Sequence, residues 1–406
     1  SCYLLQQGNF VADALVYYGE NTNVTRVFSE ALPEIPGYEF DFVNSTALIE
    51  AVTAIDGRMV TPGGGSYSVL VLDESAREMT LPVLKKIKQL VDAGVAVTGT
   101  KPERTPTLSD DADEFSSLVD EIWSTENVSD DPADEVLKSN GVAEDVLISG
   151  NSAEILYVHR STPSWEIYWL DNRSVDPNSA EISFRVSGRA PTLWHPQTGE
   201  TKPVSWKIEN GRTIITSTFE SWEAYFIVFG ERTTETSFEL PAVTEETIGT
   251  VSGPWQVTFQ GNRGAPESAT FESLTSWSEN DDPGIKYFSG TATYQNTFEL
   301  DEVGDGSGIL LDLGAVKNIA EVVVNGQNMG VLWKTPYKVD ITGAVKAGEN
   351  SLEVQVTNVW VNRLIGDAQP GVEDEITFMI MPLVTANQEL LQSGLLGEVK
   401  LSKLAQ

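Results

Sequence analysis

The 406-residue chain is poor in several of the residues from which sites are built. It has one cysteine, Cys2, which excludes an internal disulfide framework and a cysteine-based zinc site. Its two histidines, His159 and His195, are too few for most histidine-rich metal or relay chemistry. Basic residues are scarce: 26 Lys and Arg stand against 60 Asp and Glu, a formal charge of −34. Such a chain repels phosphate backbones at long range, so nucleic acid is not an expected partner. No apolar run approaches the roughly 20 residues of a membrane-spanning helix. An initiator methionine and the basic and apolar regions of a signal peptide are missing from SCYLLQQGNF. Tyr3, Leu4 and Leu5 followed by Gly8 read instead as the last turns of a helix, so the chain is expected to be a piece of something longer.

What the chain does hold is 40% hydrophobic and 21% charged residues, ordinary globular material for several domains. Residues 1–9 read as the end of a preceding helix. Residues 10–125 alternate buried strands (Val11–Tyr18, Tyr38–Val43, Tyr67–Leu72, Val95–Thr98) with helices, one capped at Asn44 or Ser45 and one from Thr80 to Gly94. Continuous apolar strands between amphipathic helices predict a flavodoxin-like α/β domain with a parallel sheet covered on both faces. Residues 126–142 are acidic and lose the pattern, apart from a short helix at Ala133–Leu137. Residues 143–232 read as a small antiparallel β-sandwich, 233–250 as a Thr/Glu-rich linker, and 251–406 as a C-terminal jelly-roll sandwich. The expected class is therefore multidomain, α/β plus all-β.

Nucleotide and nucleophile chemistry find little support in the α/β region. Its first strand-to-helix turn, Gly19 to Asn23, lacks the glycines that bring backbone amides to phosphate. Gly63-Gly64-Gly65 precedes a strand and reads as a hairpin or loop. Gly99-Thr100-Lys101-Pro102 offers no nucleophile after the fourth strand. His159 and His195 would have to converge across the sandwich to bind metal, and an ordinary polar role is the expectation. The acidic pairs Asp281-Asp282 and Glu373-Asp374-Glu375 read as solvated surface or as a calcium loop, although no EF-hand spacing is present.

The C-terminal stretch Thr357–Asp367 places Trp360, Asn362, Arg363 and Asp367 close together, with Trp333 upstream. Aromatic rings cover the apolar faces of sugars while amide and charged groups bridge hydroxyls at the rim. The alternative at these residues is a buried tryptophan and an Arg–Asp pair that pins a loop.

These segments also carry a family likeness. DPGIKYFSGTATY (282–294), DLGAVKNIAEVVVNG (312–326), GVLWKTPYKVDIT (330–342), GENSLEVQVTNVWVNRLIGD (348–367) and SGLLGEVKL (393–401) resemble the terminal β-sandwich of family 106 glycoside hydrolases. The opening YLLQQGNFVADALVYYGE, the helix start at Leu81–Leu84, GTKPERTPTLSD (99–110) and WHPQTGE (194–200) extend the resemblance along nearly the whole chain. It implies a secreted, extracellular or periplasmic α-L-rhamnosidase acting on rhamnose-containing carbohydrate. It also implies a catalytic (β/α)8 barrel upstream of residue 1. That barrel would carry two inverting glutamates and most of any calcium, so no catalytic residue is assigned here. Trp333, Trp360, Asn362 and Arg363 are the expected substrate contacts. A stand-alone carbohydrate-binding or scaffolding protein is the alternative, as is the accessory part of a galactosidase or glucuronidase.

Overall fold

A computed structural model describes residues 1–20, 34–150, 155–302, 308–381 and 383–405, so part of the Gly19–Asn23 turn lies outside the described residues. The chain divides into two compact units, Ser1–Leu240 and Pro241–Gln406.

In the first unit, five parallel strands run in the order Phe40–Val43, Ala14–Tyr17, Val69–Leu72, Ala96–Gly99, Val128–Ser129. In chain order this is 2-1-3-4-5, one of the doubly wound arrangements. The two-residue side-chain period of each strand feeds separate cores on the two faces. Leu15, Tyr17, Leu70, Leu72 and Val97 pack with helices Ser45–Ala51, Leu81–Asp92 and Ala112–Ile122. Ala14, Val69 and Ala96 pack with Leu137 of helix Ala133–Ser139. Gly63–Gly65 lies in the turn between strands Arg58–Val60 and Ser66–Tyr67, closed by the Thr61 amide bonding to the Gly65 carbonyl.

The same unit holds two antiparallel sheets of six and five strands. Tyr168, Leu170, Ile182, Phe184, Phe219, Ile227 and Phe229 form their common core. The short helix Cys2–Leu5 leads into Asn9–Phe10, which pairs with the edge strand Ile155–Ser161. Residues 233–250 contain two strands, Ser237–Phe238 and Thr244–Thr250, and the unit boundary falls between them. Each is held by a strand distant in sequence, Trp206–Glu209 and Lys400–Ala405 respectively, which local composition cannot reveal.

The second unit packs a six-stranded sheet with sheets of four and two strands around one core. Trp255, Trp277, Tyr294 and Phe288 are fully buried there, and the Trp277 indole donates to Tyr294 Oη at 2.6 Å. Asn325 and Gly326 both take positive φ, 50° and 80°, as a tight two-residue hairpin between Ile319–Val324 and Gln327–Leu332 requires.

Candidate functional site

The long central strand Gly348–Thr357 ends where Asn358 turns its amide onto backbone: Oδ1 accepts from Gly290 N and Nδ2 donates to the Phe288 carbonyl. The chain then enters helix Val361–Asp367 with Trp360 at its start. Asn362 is buried, donating to the Leu391 carbonyl at 2.7 Å and accepting from the Leu391 amide at 2.8 Å. Arg363 is also buried, with Nη2 2.9 Å from Asp367 Oδ1 and its guanidinium 6.0 Å from the Tyr287 ring. Its Nε has no hydrogen-bond partner. Asp367 Oδ2 accepts from the Ile376 and Thr377 amides and the Thr377 hydroxyl. Asn362 and Arg363 are thus engaged with protein groups.

Trp360 and Trp333 are different, being 43% and 55% exposed. Trp360 carries the Arg263 guanidinium 4.5 Å from its ring centroid, a cation–π pair open to solvent. Arg263 had no local signal in the sequence; the aromatic–guanidinium pair forms with it instead of with the neighbouring Arg363. Trp333 follows strand Gln327–Leu332, and Leu332 and Val356 both pair with Ala320, so Trp333 and Trp360 leave the same end of the sheet. Two strand spacings, roughly 10 Å, separate their strands. Two exposed aromatic rings at one end of a sheet, with a cation at one of them, present the groups that stack on and hydrogen-bond to a saccharide.

A second cluster lies in the first unit. His159 is 5% exposed and sits between two carboxylates, Nδ1 at 2.8 Å from Asp145 and Nε2 at 3.0 Å from Glu166. Its ring stacks on Tyr168, whose hydroxyl donates to Asp145 Oδ1. Arg185 bonds Asp13 at 2.9 Å and approaches Asp145 at 3.6 Å. Burial disfavours the imidazolium, but the two carboxylates outweigh it and raise the pKa of His159. Nearby Glu39 is raised to about 7 by burial and then by Asp145 and Asp41. Burial likewise raises Asp13 against the opposing pull of Arg185.

These shifts share one sign. His159 adds stability that is complete below its unfolded pKa, about 6.5, and lost as pH rises through its higher folded value. Glu39, ionising later when folded than when unfolded, also makes stability fall between about pH 4.5 and 7. The melting temperature of the first unit is therefore expected to fall from pH 5 to pH 8, followed by calorimetry. Glu39→Gln should flatten the lower part of that slope and His159→Gln the upper part; an unchanged slope in both variants would refute the assignment.

His195 is set apart from this cluster, with Nε2 3.2 Å from Glu223. Among the described residues no group of three or more His, Cys, Asp or Glu is placed to hold a metal ion. No helix among them is long and apolar enough to cross a membrane. At the parallel sheet's C-terminal end, two remote carboxylates cap helix Leu81–Asp92: Glu20 accepts the Thr80 amide at 2.5 Å and Asp110 the Leu81 amide at 2.8 Å. The Thr80 side chain does not cap the helix, and its hydroxyl donates to Glu20. Where a doubly wound sheet would offer amides to a phosphate, this chain has already supplied the anions.

Comparison with known proteins agrees with the β-rich fold. Residues 276–376 match the galactose-binding-like domain of family 2 glycosyl hydrolases, a domain of sugar-processing enzymes. Residues 1–208 match the α-L-rhamnosidase family, and the chain belongs to this family, glycoside hydrolase family 106. The solved rhamnosidase from Novosphingobium sp. PP1Y superposes with a TM-score of 0.91 at 38% identity, over 98% of this chain and 40% of that one. A curated relative, a putative beta-glucuronidase of Formosa agariphila, is 25% identical over all of this chain and 56% of its own length. The chain thus spans about half the length of these relatives or less.

Proposed function

We propose that this chain is the accessory, C-terminal region of a secreted α-L-rhamnosidase, in which it braces a catalytic (β/α)8 barrel carried elsewhere on the polypeptide. The observation that carries the reading is the superposition of 98% of the chain on less than half of a rhamnosidase. The reaction is hydrolysis of an α-L-rhamnosyl bond in a polysaccharide or oligosaccharide, with inversion. Inversion needs two carboxyl groups roughly 6.5–9.5 Å apart with water between them, and we place both on the barrel. Within this chain Asp145 is 1% exposed and bound to His159 and Tyr168, so its role is structural. The domain division at 10–125, 143–232 and 251–406 belongs to the same proposal.

Trp360, with Arg263 against its ring, and Trp333 form the surface we assign to the carbohydrate, while Asn362 and Arg363 position the helix that carries Trp360. Titration calorimetry with rhamnose-containing oligosaccharides tests this. Trp360→Ala is expected to weaken binding about tenfold, near 1.4 kcal/mol, with an unchanged melting temperature. Undiminished affinity in both Trp360→Ala and Trp333→Ala would exclude this surface. The reaction itself is tested by assaying the complete gene product for rhamnose release. A glucuronide-cleaving parent is the second reading, motivated by the Formosa relative, and release of glucuronic acid without rhamnose would favour it.

A further inference from the structure

Residues 368–393 join helix Val361–Asp367 to strand Gly394–Gly397, and this long connection is fastened at several points. Asp367 Oδ2 holds the amides of Ile376 and Thr377 at 3.1 and 2.7 Å. Gln369 Nε2 donates to the Ala386 carbonyl at 3.0 Å, and Asn362 grips Leu391 in both directions. Between these ties the loop turns large apolar groups outward: Phe378 is 86% exposed, Ile380 90%, Met381 64% and Leu383 74%. Scattered exposed leucines are ordinary, but such a concentration on a backbone held by buried polar side chains is the signature of a contact surface. Fastening the backbone beforehand lowers the ordering cost of association. Glu373, Asp374 and Glu375, all exposed, stand immediately before the apolar tip.

We propose that this loop is a docking knob for an apolar cleft rimmed by lysine or arginine on the part of the parent polypeptide outside these 406 residues. The proposal rests on the reading that the chain is part of a longer hydrolase. More than half of the similar rhamnosidase chain lies outside the match, which leaves ample protein to supply the cleft. The acidic flank asks for a basic rim, and it argues against a second copy, because chains of charge −34 repel one another. It argues equally against an anionic lipid surface.

Hydrogen–deuterium exchange tests the proposal on the complete gene product and on the 406-residue chain, each with and without the paired substitution Phe378→Asp/Ile380→Asp. Amides of residues 376–381 are expected to exchange at least tenfold more slowly in the complete product than in the 406-residue chain. The paired substitution should restore fast exchange in the former and leave the melting temperature of the latter unchanged. Equal exchange in the two unsubstituted proteins would overturn the proposal, as would a complete product no longer than this chain. Protection of the 406-residue chain that grows with its concentration and vanishes with Ile380→Asp would assign the loop to a second copy and also overturn it. Rhamnose release is scored separately: release with fast exchange defeats the docking knob alone, and protection without release defeats the rhamnosidase reading alone.

Discussion

Replacing Asp145 by alanine is expected to destabilise the Ser1–Leu240 unit by about 3–5 kcal/mol, the cost of breaking a buried charge cluster from one side. Asp145 is 1% exposed and receives the His159 ring nitrogen, the Tyr168 hydroxyl and the nearby Arg185 guanidinium. Without it the imidazolium keeps only Glu166, and the Tyr168 hydroxyl loses its acceptor in a closed core. Asp145→Asn retains an oxygen for one donor and should cost less than Asp145→Ala. In urea denaturation followed by tryptophan fluorescence, the paired variant Asp145→Ala/His159→Gln should lose less than the sum of the single losses, because the two groups act on each other. A loss below about 1 kcal/mol for Asp145→Ala would mean that the cluster is better solvated than its burial indicates.

The second large effect is expected at Arg363. Arg363→Ala leaves the buried Asp367 carboxylate, 8% exposed, without its cation, a loss of about 3–5 kcal/mol from the Pro241–Gln406 unit. Asp367→Ala also frees Ile376 and Thr377, so limited proteolysis should cut the 368–393 connection faster in that variant than in Arg363→Ala. Both effects are structural, and carbohydrate affinity measured below the melting transition should change little. Should Arg363→Ala instead abolish binding at an unchanged melting temperature, the guanidinium would be a ligand contact and its place in the proposed surface would have to be redrawn.

Several elements are legible locally. Helix Ser45–Ala51 begins at Asn44, whose side chain accepts the Ala47 amide, as Asn-Ser-Thr before an apolar period predicts. The short apolar runs at Ala14–Tyr17, Val69–Leu72 and Ala96–Gly99 form parallel strands because both faces of the sheet are covered. Strand Val128–Ser129 and helix Ala112–Ile122 are harder to see. The strand is two residues long, and the helix exposes an acidic face that masks the period of Phe115, Val119 and Ile122. The start of helix Leu81–Asp92 is visible at Thr80, but its capping groups, Glu20 and Asp110, come from loops far along the chain.

The same division runs through the candidate site. By itself the sequence determined the alternation of strand and helix, the excess of negative charge, the lack of a disulfide within these 406 residues and the family likeness carried by its C-terminal motifs. Each is a property of neighbouring residues or of the sum over the chain. Only the tertiary structure decided which of the motif's polar groups face water. Asn362 and Arg363 stand beside Trp360 in sequence, yet the helical turn sends them inward to Leu391 and Asp367 while Trp360 meets Arg263 at the surface. The three-dimensional fold likewise joined His159 to Asp145 and Glu166, because antiparallel pairing and sheet packing set partners that spacing along the chain cannot.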